Sequence, residues 1–128
     1  MGIITIDLRK RQLIWEQIVD SVKDGIAGGY LKENDYMPSV RTLAGELGIN
    51  PNTIQKAYAE LERQEIIKSV AGKGSIIVAS AETVTDMNKE KLLAVVETCA
   101  RDAAAAGVSY EEFMLAARKV FNVAGDKE

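Results

Sequence analysis

The chain has 128 residues, 47% of them apolar and 27% charged, enough for one or two small domains with a hydrophobic core. It contains no His and a single Cys, Cys99, which excludes an internal disulfide framework and a Cys/His zinc site. No apolar run approaches the roughly 20 residues of a membrane span, and the opening MGIITIDLRKRQ places its cations after its apolar piece, the reverse of a secretory signal; a cytoplasmic protein with no membrane partner and no cofactor is expected.

The formal net charge of −3 is unevenly placed. Residues 1–80 carry ten Lys/Arg and ten Asp/Glu, so the whole excess of acid lies in residues 81–128. Cations of the first part could still gather on one face, which makes overall acidity a weak argument against nucleic acid.

Residues 3–8 alternate weakly and suggest an extended arm. Arg9, Lys10 and Arg11 follow, read either as a solvated, partly disordered terminus or as a clamp on backbone phosphates. A helix is expected over Leu13–Ala27, where Ile14, Ile18, Val22 and Ile26 recur every fourth residue as one apolar stripe, with Trp15 and Val19 beside it as core. Gly28-Gly29 ends it, and Tyr36-Met37 suggests a short strand.

The stretch MPSVRTLAGELGINPNTIQKAYAEL, Met37–Leu61, predicts two helices around a tight turn. Ser39 can cap the first, Val40–Leu47, and Gly48 can end it in a left-handed conformation. Asn50 caps the second, with Pro51 at its first position, where a missing N–H costs nothing. Ile54, Ala57, Tyr58 and Leu61 fall on its inner face, leaving Asn52, Thr53, Gln55 and Lys56 outward. This is the layout of a helix-turn-helix whose second helix enters the DNA major groove. Asn and Gln can read adenine edges, and a helix N-terminus favours phosphate.

Ile66–Val70, Ala71-Gly72-Lys73-Gly74 and Ser75–Val78 read as strand, turn and strand. Directly behind a helix-turn-helix, such a hairpin is a wing: Gly72 permits close backbone approach and Lys73 would meet phosphate or the minor groove. A linker is expected around Ala79–Thr83. Asp86 or Thr85 would cap a helix of about twenty residues with Leu92, Val95, Val96, Cys99, Ala103 and Ala106 along one side, Cys99 acting as a small buried apolar group. Gly107 ends it, and Ser109 with Glu112 fits a capping box opening a last helix with Phe113, Met114, Ala117, Val120 and Phe121. Two such helices cannot bury both apolar sides alone, so they must pack on the first domain, on another chain, or on both.

Ile14 to Val78 resembles the DNA-binding domain of the GntR family of bacterial transcription regulators. The resemblance rests on Pro-Ser-x-Arg-x-Leu-Ala at Pro38–Ala44 and on the Gly-x-Gly-Ser of the wing. Asn-Pro-Asn-Thr followed by Ala-Tyr-x-Glu-Leu-Glu is similar to the YtrA subfamily, as is the short tail, since other subfamilies carry long C-terminal domains. It implies a mainly α fold with a small β-hairpin, divided into a winged helix-turn-helix domain (residues 1–80) and a two-helix dimerisation region (residues 81–128). It further implies a homodimeric repressor on a palindromic double-stranded DNA operator, often in an operon with ABC transporter genes. Arg41 would contact guanine in the major groove. Asn50, Asn52, Thr53, Gln55 and Lys56 would serve the recognition helix, Gly72 and Lys73 the wing, and Arg9 and Arg11 the backbone. Leu92, Val95, Val96, Cys99, Ala103, Phe113, Ala117 and Phe121 would build the dimer. A small-molecule effector of unknown identity could lodge between the two regions. Departures from the usual pattern are Pro51-Asn52 where cations are frequent, Ala71 and Ile76 in the wing, and Glu65 in place of the Gly that ends the recognition helix, which predicts a less tightly capped end.

The competing reading is a winged-helix protein-interaction module without specific DNA readout; it would not need Arg41, Asn52, Gln55 and Lys73 on one face. An enzyme is the weakest option, because no nucleophile–base pair or carboxylate dyad stands out by spacing.

Overall fold

The computed structural model describes residues 4–123. These hold five helices and one antiparallel hairpin, in the order α1 (Ile14–Ala27), α2 (Val40–Leu47), α3 (Pro51–Arg63), β1 (Ile67–Val70), β2 (Gly74–Ile77), α4 (Ala81–Ala105) and α5 (Tyr110–Val123). The chain divides after Met87 into two compact units, and α4 runs through the division.

The first unit is built on the stripe of α1. Ile18, Val22 and Ile26 are withdrawn from solvent together with Ile54, Ala57 and Leu61 of α3, and the two helices pack against each other. Leu43 of α2 and Ile66, Ile67 and Ile77 around the hairpin close the same core. Each of the branched aliphatic side chains contributes about 1.5–3 kcal/mol by leaving water. Ile67 pairs with Ile77 and Val70 with Gly74, so alternation sends Ile67 and Ile77 inward and Lys68 out. The second edge of β2 is also occupied. Tyr36 forms a bridge with Ile76, the Met37 amide donates to the Ser75 carbonyl (2.8 Å), and the Ile77 amide donates to the Asp35 carbonyl (2.9 Å). The short strand expected at Tyr36–Met37 is this bridge.

The arm, described from Ile4 onward, is docked on α1: Ile4 is buried in the core, and Ser21 Oγ on α1 both accepts from the Thr5 amide (3.2 Å) and donates to the Thr5 carbonyl (3.0 Å). The linker expected around Ala79–Thr83 is the start of α4 instead. Ser80 caps the helix by accepting from the Thr83 amide (3.1 Å), so the cap lies earlier than Thr85 or Asp86. Val84, one turn in, is fully buried in the first unit's core, and Met87 packs against it. The run of small and polar residues before Val84 reads locally as a linker, and only the buried Val84 shows the helix has begun.

In the second unit Gly107 sits at φ +95° behind α4, and the Ser109–Glu112 capping box forms in both directions (3.1 and 2.9 Å). Ala103, Phe113 and Ala117 are half-buried, whereas Leu92, Val95, Val96 and Phe121 are exposed. Cys99 is exposed as well, contrary to its reading as a buried group.

The end of α3 also departs from expectation. Glu65 takes the left-handed conformation (φ +63°), and the terminal hydrogen bonds are made in full: the Glu65 amide to the Glu62 carbonyl (3.0 Å) and the Ile66 amide to the Leu61 carbonyl (2.9 Å). The cap is intact but carries a side chain where Gly is favoured, at a cost of about 1–2 kcal/mol. Glu65→Gly should therefore stabilise the fold by about 0.5–1 kcal/mol after the greater freedom of an unfolded Gly is subtracted. Chemical denaturation checks this, and an unchanged or lowered midpoint would refute it.

Candidate nucleic-acid interface

The turn between α2 and α3 is set by three local bonds and braced by a fourth of longer range. Ser39 Oγ accepts from the Thr42 amide (3.0 Å), which starts α2. Gly48 ends α2 at φ +68°, and the Ile49 amide donates back to the Ala44 carbonyl (3.0 Å). Asn50 Oδ1 accepts from the Asn52 amide (2.8 Å), with Pro51 at the first helical position. The Tyr58 hydroxyl then donates to the Pro38 carbonyl (2.6 Å), tying the middle of α3 to the residue before the α2 cap. Burial, with the nearby Glu46 charge adding to it, pushes that phenol well above the usual tyrosine range, so it stays a donor.

This frame leaves Asn52, Gln55 and Lys56 exposed on α3 and Arg41 exposed on the first turn of α2. Neither helix has an acidic residue in its first turn, so the partial positive charge at the start of α3 is not offset there. Among the described residues none bonds to the Arg41 guanidinium, whose fork is therefore unengaged. Thr53 is half-buried. Asn50 is exposed, and its Oδ1 accepts the cap bond while its NH₂ takes no part in it. Lys56 lies toward α1, with its ammonium 4.9 Å from the centre of the Trp15 ring. Trp15 is half-buried against the core, as expected, and its Nε1 is shielded without a hydrogen-bond partner.

In the wing, Gly72 (φ +76°) and Gly74 (φ +84°) adopt backbone conformations closed to most side chains, and Lys73 stands exposed between them. Arg9 is exposed, with Nε 3.3 Å from Asp7 Oδ1, and Arg11 is exposed.

Sequence reasoning missed three contributors. Tyr58 was read only as core, although its hydroxyl requires a partner once buried. Lys23 is buried on α1 and donates to Gln64 Oε1 (2.9 Å), which links α1 to the end of α3. There Gln64 and Arg63 both donate to Glu60, and these bonds hold its carboxyl down at about 2. Gln17 is buried on α1 beside the apolar stripe, and its position three residues after Ile14 was the available signal.

A helix-turn-helix with a free outer face on its second helix, followed by a Gly-Lys-Gly wing, defines a winged-helix DNA-binding fold. Residues 14–77 match the family described as bacterial regulatory proteins, gntR family. The chain is 40% identical over 114 residues to the HTH-type transcriptional repressor YtrA of Bacillus subtilis, covering 85% of each protein. A crystal structure of a transcriptional regulator from Oenococcus oeni superposes with a TM-score of 0.75 at 32% identity, covering 91% of this chain and 98% of that one. YtrA from Sulfolobus acidocaldarius, a GntR-family transcription factor, gives 0.60 at 33% identity over 74% of this chain and 98% of that one. The chain belongs to the GntR family and groups with its YtrA-like members; it is a DNA-binding transcription regulator, not an enzyme.

If the Tyr58–Pro38 bond fixes the helix pair, Tyr58→Phe should cost about 0.5–1.5 kcal/mol of stability while leaving the apolar packing in place. Thermal or chemical denaturation would show it; a variant as stable as the parent would mean the bond contributes nothing net.

Proposed function

We propose that the chain is a homodimeric repressor that reads a palindromic operator, residues 1–80 binding DNA and residues 81–128 pairing two copies. The observation that carries the reading is the outer face of α3 and the start of α2: Asn52, Gln55 and Arg41 stand exposed around a capped helix N-terminus. A recognition helix requires this combination, and a core-building helical hairpin does not. Arg41 takes a guanine edge, Asn52 and Gln55 take bases, Lys73 and Gly72 contact the backbone from the wing, and Thr53, Asn50 and Lys56 support the phosphates near the start of α3.

Support for the pairing role comes from the second unit. Leu92, Val95, Val96 and Phe121 are 63%, 57%, 49% and 61% exposed, more apolar surface than two helices leave in water without a partner. A second copy would cover them together with Cys99, and Ala103, Phe113 and Ala117 would complete the contact. Pairing two modest half-site contacts raises overall affinity without further base contacts.

The test is fluorescence anisotropy with DNA from upstream of the protein's own gene against a scrambled duplex, each at two salt concentrations. Binding should prefer the upstream fragment and weaken steeply with salt. Arg41→Ala should cost about 1–3 kcal/mol on the operator and little on scrambled DNA; equal losses on both would contradict base reading. Separately, Val95→Asp should convert the protein to monomers in sedimentation and lower operator affinity on the order of a hundredfold. A dimer unaffected by that substitution would place the interface elsewhere.

A further inference from the structure

Gln17 lies on α1 between positions that face the core, is only 6% exposed, and spends its whole side-chain amide on one loop. Its Oε1 accepts from the Asp7 amide (2.7 Å), and its Nε2 donates to the Asp7 carbonyl (3.1 Å) and the Gln12 carbonyl (3.0 Å). Asp7 and Gln12 are the two ends of the segment that carries Arg9 and Arg11, so a single buried side chain clasps that segment at both feet. Further bonds stiffen it: Gln12 Nε2 donates to Asp20 Oδ2 on α1 (2.7 Å), and Asp7 Oδ1 accepts from the Arg9 amide (3.0 Å). A leucine at position 17 would serve core packing alone, and burying an amide there is unfavourable unless its bonds are made. The residue type is thus explained by the loop rather than by the core.

The loop leads directly into the end of α1 that meets the recognition helix. Lys56, on the outer side of α3, lies over Trp15 in the first turn of α1. Arg11 is four residues before Trp15, so its Cα is within about 14 Å of the Trp15 Cα. A DNA backbone flanking α3 passes within reach of long Arg side chains from such a place.

We propose that Gln17 is a positioning residue for DNA binding: by clasping the Asp7–Gln12 loop it holds Arg9 and Arg11 as a preformed clamp on the phosphate backbone beside α3. The inference rests on the DNA-binding role proposed above. The clamp makes no base contacts, so it acts equally on operator and unrelated DNA. Its value lies in order present before binding, since a loose loop must be fixed at the moment of contact.

The experiment is a double-mutant cycle read by anisotropy on the upstream fragment and the scrambled duplex, using the full chain. The Arg9→Ala/Arg11→Ala protein, which loses two phosphate contacts per protomer, should lower the salt slope of the dimer by about 4 on both DNAs. Gln17→Met should lower affinity for both about three- to tenfold in the parent, with the operator preference kept, and should have no effect in the Arg9→Ala/Arg11→Ala background. Gln17→Glu keeps the acceptor for the Asp7 amide and removes both donations; it gives a second measurement should Gln17→Met fail to fold. The same loss in both backgrounds would mean that Gln17 supports only the fold, and an unchanged salt slope without Arg9 and Arg11 would mean that there is no clamp; either overturns the proposal while leaving the repressor reading in place. Absence of DNA binding by the unaltered protein would overturn both.

Discussion

Burial of Ile54, Ala57, Tyr58 and Leu61 in the core shared with α1 and α2 decides which face of α3 is available to anything else. A helix with one face sunk in a core has no rotational freedom, so Asn52 and Gln55 are aimed by residues that never meet a ligand. The Tyr58 hydroxyl extends this control to α2 through the Pro38 carbonyl, and Arg41 is thereby placed relative to the same frame. Precision at the outer face is a property of the inner one.

The local chemistry of chain reversal works in the same direction. Ser39, Gly48, Asn50 and Pro51 each settle one end of one helix, and none depends on distant contacts. The turn is consequently short and well determined before tertiary packing is considered. Glu65 shows the complementary case: Ile66 must enter the core immediately after α3, and the chain accepts a left-handed Glu to get it there.

What was legible from the sequence follows the same division between local and distant. Capping residues, glycines at turns and apolar periodicity operate over a few positions, so α2, α3, the hairpin and the Ser109–Glu112 box could be placed from the residues alone. The arm could not, because its order comes from Gln17 and Ser21 on α1, sixteen residues from Thr5 in the case of Ser21. The start of α4 was masked for a similar reason: Val84 identifies itself as core only once the core exists to receive it. At the candidate interface, residue identities were readable, but their commitments were not. That Asn50 Oδ1 takes part in its cap, that Lys56 lies over Trp15 and that the Arg9 guanidinium meets Asp7 through Nε alone depends on neighbours that spacing does not reveal.

The bonding of β2 on both sides has a consequence for the protein in a crowded solution. A two-stranded hairpin normally offers a row of unpaired amides and carbonyls on each outer edge, an invitation to strand addition by another chain. Here the segment around Tyr36 and Met37 already occupies one of those edges. On β1, the outward Lys68 sets a charge on the strand. The wing can therefore keep an exposed, glycine-rich tip without also becoming a template for aggregation.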